Sequence, residues 1–119
     1  MGLIIWYAPA LVMIAISAAY FWLDGPERSR TVRLLVSIHG VSAAILFLIA
    51  MLISGFTGAQ RPWAAWPYLA LHLVPVASIL YAFVRFRGPK FLHLTQVVNI
   101  FCMAQTLVVG GMAVTGDWL

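Results

Sequence analysis

Charge is what this chain has least of. Its 119 residues include seven Lys and Arg and three Asp and Glu, 8% of the total, against 64% hydrophobic residues. A soluble domain carries about 25% charged residues, and a chain this small cannot cover a water-facing surface with so few. Acid is the scarcer sign: Asp24, Glu27 and Asp117 are the full complement, and all lie outside the long apolar runs. There is consequently no His-Glu-x-x-His metal motif and no intramembrane carboxylate for proton-coupled transport. Cysteine occurs once, as Cys102, which excludes an intrachain disulfide and a paired-Cys metal motif. No GxSxG turn presents a nucleophilic serine. The basic residues form no stripe interleaved with exposed aromatics, so nucleic acid is not an expected partner.

What is present is apolar length. Four uncharged stretches, 3–23, 34–55, 63–84 and 91–116, stand between the charge clusters. Each reaches the roughly 20 residues that cross a bilayer core as a helix. An open strand would leave its backbone groups unpaired in lipid, so helix is the expected form. The fold class read from the sequence is an all-α integral membrane protein. It is a single domain over residues 1–119, with four transmembrane helices arranged as two antiparallel hairpins. Short connections make consecutive spans antiparallel neighbours, and Gly25-Pro26 and Gly88-Pro89 punctuate the first and third loops. The first span lacks the basic start and small-residue cleavage site of a signal peptide and reads as a retained helix.

Orientation follows from the loops. Arg28, Arg30 and Arg33 fall in the first, Arg85, Arg87 and Lys90 in the third, and Arg61 alone in the second. The positive-inside rule then puts loops 24–33 and 85–90 in the cytoplasm and both termini outside, in a bacterial inner membrane. Trp6, Tyr7, Trp63, Trp66, Tyr68 and Trp118 are expected at the outer interface, and Tyr20, Trp22, Tyr81, Phe86 and Phe91 at the inner one. Asp24 reads as a solvated acid at the end of the first span.

The polar residues inside the spans carry the functional argument. In span one, Ala10, Met13, Ser17, Tyr20 and Asp24 share one helical face. In span two, Gly40 and Ala44 form a small-xxx-small pair suited to close helix approach. In span three, Pro75 should kink the helix, and Tyr68 and His72, one turn apart, could bond to each other. In span four, Gln96, Asn99, Met103, Thr106 and Gly110 draw a continuous stripe that should face protein, while Gln105 projects to the opposite face. An amide facing outward is the argument for a homo-oligomer or a larger membrane complex.

His39, His93 and His72 are the candidate cofactor ligands. A haem b needs two imidazoles at similar depth on facing helices. His39 and His93 come nearest, about 10 Å and about 3 Å below the same boundary, with His72 about 9 Å below the other. A quinone near His39 or His93 rests on the same observation, and a hydrogen-bonding structural role is the simpler reading of each histidine. The function expected first is a small non-catalytic subunit of a membrane complex, with the lipid bilayer as its solvent. An electron-transfer subunit binding haem b or quinone, a small oligomeric channel or transporter, and a toxin-immunity membrane protein remain as alternatives.

Overall fold

The computed structural model describes residues 2–24, 29–55 and 61–116, and all its regular structure is helical. The Gly25-Pro26 turn, Glu27, Arg28, Asp117 and Trp118 lie outside the described residues. The elements are α1 (Gly2–Leu23), α2 (Arg30–Ala50) running on into a π-helical turn (Met51–Gly55), α3 (Ala65–Leu71) after a 3₁₀ turn (Pro62–Ala64), α4 (Leu73–Arg85), and α5 (Thr95–Thr115) after a second 3₁₀ turn (Lys90–Leu94). Four of the resulting rods, Ile5–Leu23, Arg30–Ala50, Pro62–Arg85 and Lys90–Thr115, are long and apolar enough to cross a membrane.

Local chemistry explains the boundaries. Ser29 caps α2, its Oγ accepting the Val32 N–H at 3.3 Å. That cap starts the helix at Arg30, four residues before the apolar run, so Arg30 and Arg33 stand on α2 rather than in the loop. The third rod breaks at His72, one turn before Pro75. Proline has no N–H for the carbonyl four residues back, here Leu71, and the chain tightens at this point, with the His72 N–H donating to Leu69 O at 3.1 Å. α5 ends on Gly116, whose φ of 81° lets its N–H return to Met112 O at 2.8 Å.

α2 is the central element, packing on α1, α4 and α5, while α1 also lies against α5. α4 packs on α2 and has little contact with α5. Three apolar clusters follow one another along the bundle. Ile16, Tyr20, Val36, Ala82, Phe86 and Leu92 fill the end where Arg33 and Lys90 lie. Ala10, Met13, Ala43, Ala44, Phe47 and Val109 fill the middle. Ala50, Ala64, Tyr68 and Val114 fill the opposite end, where the Arg61 N–H donates to Val114 O at 2.7 Å. α1 and α2 approach closely at Gly40: a Cβ there would fall on the Met13 carbonyl and Ser17 Oγ. Ser17 Oγ also accepts the Val41 N–H at 2.9 Å.

The outer faces are apolar as well. Leu11, Leu80 and Phe101 are exposed from separate rods, and Trp6, Trp22, Trp63 and Trp66 all face outward. Other aromatics expected at an interface turn inward. Tyr20 and Phe86 are buried and packed on one another, ring centroids 4.7 Å apart, within the apolar cluster that also holds Ile16, Val36, Ala82 and Leu92. Asp24 is also buried rather than solvated: its Oδ1 accepts the backbone N–H of Arg87 at 3.1 Å, tying the end of α1 to the loop after α4.

The basic side chains at this end close helix termini. Arg33 Nη2 donates to Phe21 O at 2.7 Å, near the end of α1, with its guanidinium 4.5 Å from the Phe21 ring centroid. Lys90 Nζ donates to Phe86 O, at the end of α4. Each cation sits at the negative end of a helix dipole.

Candidate functional site

The polar residues of α2 and α5 meet in one buried cluster. His39 is 0% exposed, Gln96 1% and Asn99 0%. His39 Nε2 lies 3.2 Å from Gln96 Nε2, His39 Nδ1 lies 3.4 Å from Asn99 Nδ2, and Asn99 Nδ2 donates to Gln96 Oε1 at 2.9 Å. Helical periodicity explains the grouping on α5, since residues three apart share a face. The close approach of α1 at Gly40, adjacent to His39, belongs to the same packed region.

Hydrogen-bond accounting constrains this triangle. The Asn99–Gln96 bond makes the two amide groups facing His39 alike, because one amide must give what the other takes. In one orientation both present N–H to the imidazole, and turning both amides over presents two oxygens. A neutral imidazole has one donor and one acceptor nitrogen. It can complete one of the two contacts and not both. The 3.2 Å contact to Gln96 falls within ordinary hydrogen-bond range and the 3.4 Å contact to Asn99 lies beyond it. Asn99 is the loose corner, and its Oδ1 has no hydrogen-bond partner.

Tyr20 joins this cluster to the third rod and to His93. Its ring meets His39 edge to face at 4.9 Å and His93 at 5.9 Å, and its hydroxyl lies 2.9 Å from His93 Nδ1 and 3.3 Å from Leu92 O. Phe83 and Phe86 complete the wall around His93, at 4.9 and 5.6 Å. Tyr20 is therefore in ring contact with both of the imidazoles nearest in depth. The sequence marks Tyr20 as part of the inward face of α1, but nothing in its spacing says that two histidines from other rods would converge on it.

His72 is remote from this cluster, toward the opposite end. His72 and Tyr68 do not bond side chain to side chain as the one-turn spacing suggests. His72 Nδ1 turns back to Tyr68 O at 2.7 Å, while Tyr68 OH crosses to Thr106 O at 2.8 Å. Tyr68 reaches that carbonyl because position 110 is glycine: a Cβ on Gly110 would occupy the place of the phenol oxygen. A carbonyl recruited by side chains in this way needs neighbours without bulk, and a single sequence does not reveal which glycine serves that purpose.

The other residues singled out by spacing are dispersed. Gly40, on α2, packs against Met13 and Ser17 of α1, and Ala44 is buried in the central apolar cluster. Thr106 is buried, with its hydroxyl bonded within its own helix to Met103 O at 3.0 Å. The stripe Gln96–Asn99–Thr106 is thus turned into the bundle. Gln105 is exposed. Among the described residues no group of three or more His, Cys, Asp or Glu could hold a metal ion.

No family model, curated protein or solved structure matches this chain.

Proposed function

We propose that this chain is an integral membrane protein whose four helices, folded as two antiparallel hairpins, act as a non-catalytic subunit. It associates with a second copy or a larger partner through the outer face of α5. One observation carries this reading. Val98, Phe101, Gln105 and Val108 recur at helical spacing on α5, and all four are exposed. Gln105 lies ten residues before Thr115, about 15 Å along the helix, in the interior of the span. A primary amide at that depth, facing hydrocarbon, lacks partners for both its N–H₂ and its C=O, and another protein surface supplies them.

The proposed orientation puts loops 24–33 and 85–90 in the cytoplasm and both termini outside, in a bacterial inner membrane. Its support is the gathering of Arg33, Arg87 and Lys90 around the ends of α1 and α4, with Arg61 at the opposite end. The electron-transfer reading through His39 and His93 has less support, since Tyr20 packs against both imidazoles and its hydroxyl lies on His93 Nδ1.

The test is blue-native electrophoresis of protein extracted in a mild detergent. The wild-type chain should migrate as a dimer or larger assembly, and Gln105→Leu should shift it to a smaller species with helicity unchanged. A strictly monomeric wild type defeats the proposal. In intact cells, before extraction, a cysteine placed at position 61 of a Cys102→Ala chain should react with an impermeant thiol reagent, and a cysteine at position 87 should not.

A further inference from the structure

The outer side of the contact between α1 and α2 carries a groove of about 320 Å³. Its α1 wall is Ile14, Ala18, Phe21 and Trp22, and its α2 wall is Leu34, Ile38 and Val41. Two serines also line it, and both are buried with their hydroxyls engaged. Ser17 Oγ accepts the Val41 N–H at 2.9 Å, and Ser37 Oγ donates to Leu34 O at 3.2 Å. The walls are otherwise apolar, so hydrocarbon suits the groove.

The mouth of the groove is cationic. On α2 the wall lies on two ridges of residues three to four apart, Arg30–Leu34–Ile38 and Arg33–Ser37–Val41, and each ridge begins with an arginine. Arg30 is exposed, and the first turn of α2 contains no acidic residue. Arg33 is held at the mouth by the wall itself. Its Nη2 donates to Phe21 O at 2.7 Å, and its guanidinium lies 4.5 Å from the Phe21 ring centroid. A guanidinium has five N–H donors, so this bond leaves others for an anion. Trp22, 74% exposed, stands on the α1 side of the same mouth, where an indole suits the head-group level.

Length identifies the occupant. From Arg30 to Val41 is eleven residues, about 16 Å along the helix. One leaflet of a hydrocarbon core is about 15 Å deep. The groove thus has the reach of an acyl chain whose head group lies beside the arginines. We infer that it binds a phospholipid of net negative charge, with the phosphate on Arg30 and Arg33 and one acyl chain between α1 and α2. A zwitterionic lipid brings the same phosphate together with a cation that the two arginines repel. The inference rests on the chain lying in a bilayer and is independent of its association through Gln105.

The experiment reconstitutes the full chain in vesicles, with Trp22 as its single tryptophan and the others replaced by Phe. Bromine on an acyl chain quenches an indole that it touches. Mixtures containing brominated phosphatidylglycerol or brominated phosphatidylcholine therefore give the relative affinity of the two lipids at this groove. Phosphatidylglycerol should be preferred about tenfold, the effect of two cations at the surface. Arg30→Gln, at an exposed position that carries no packing, should reduce the preference to about threefold. Adding Arg33→Gln should abolish it. Ala18→Phe should fill the groove and lower the preference with both arginines present. Arg85→Gln, which removes an exposed cation of α4, should change it little. Equal affinity for the two lipids overturns the inference. So does a loss in Arg85→Gln equal to that in Arg30→Gln, the mark of diffuse charge, or inorganic phosphate competing as well as the lipid, the mark of a free-anion site. An Ala18→Cys, Cys102→Ala chain that cross-links to its own copy would put a second chain in the groove and overturn it too. Quenching by neither lipid would overturn the bilayer reading along with it.

Discussion

Each end of the bundle combines a tyrosine with histidine, and the two ends use the pair in opposite ways. At the basic end, Tyr20, His39, His93, Gln96 and Asn99 come from three of the four rods and answer one another largely side chain to side chain. At the opposite end, Tyr68 and His72 both bond to backbone carbonyls, at Thr106 and Tyr68 itself. The first arrangement depends on every member being present, because an amide deprived of its partner stays buried. The second depends on close approach of backbones, because the carbonyl is always there and only access to it varies. Networks of the first kind specify how helices pair, and contacts of the second kind adjust how tightly they pack.

This contrast can be broken most forcefully at His39. His39→Leu leaves Gln96 and Asn99 without their imidazole and should destabilise the fold by about 2 kcal/mol, read from unfolding in mixed micelles of rising SDS content. Replacing both amides as well, in the triple variant His39→Leu, Gln96→Leu and Asn99→Leu, should recover part of the loss, since no polar group of the cluster is then left buried without a partner. No recovery would mean that the cluster does not act as a unit.

A smaller effect is expected at the opposite end. Tyr68→Phe deletes one hydrogen bond to a carbonyl and should cost about 1 kcal/mol in the same assay. Gly110→Ala should cost a similar amount in the wild type, by displacing the phenol oxygen, and much less in the Tyr68→Phe background. Additive losses would show that Gly110 serves some purpose other than admitting Tyr68.

The smallest change belongs to the cations that close helix ends. Arg33→Gln should cost about 0.5 kcal/mol, because a half-buried cation at the end of one helix interacts with the helix dipole and one carbonyl and holds no other polar side chain in place. A loss as large as that of His39→Leu would place the basic residues among the determinants of the fold instead of at its margin.

Much of the helical layout is legible in the residues. The face Ala10, Met13, Ser17, Tyr20 and Asp24 repeats every three to four positions, and all five are buried. The same period on α5 groups Gln96, Asn99 and Thr106, again buried. Periodicity works here because it is a property of one helix and needs no knowledge of its neighbours. Boundaries were less legible. Ser29 draws α2 back over Arg30 and Arg33, since a capping hydroxyl outweighs the distaste of a span for charge near its end. Aromatic placement was legible for tryptophan and not for tyrosine. The described tryptophans face outward, but Tyr20 and Tyr68 have partners for their hydroxyls inside the bundle and go there.

Depth brings His39 and His93 nearest to one another among the three histidines, and it does not reveal that Tyr20 from α1 packs against both. The break in the third rod was announced by Pro75, but its consequence for His72 was not. Only the bent backbone brings Nδ1 onto the Tyr68 carbonyl and leaves Nε2 buried without a partner.

By itself the order of residues determined that four apolar helices form and which side of α1 and α5 is polar, because these depend on interactions within a few residues along the chain. Only the tertiary structure decided which polar sides meet, which imidazole nitrogen is occupied and where an unfilled seam remains. Those outcomes depend on how closely two helices approach, and that distance is set by steric contacts such as Gly40 on Met13 between residues far apart in sequence.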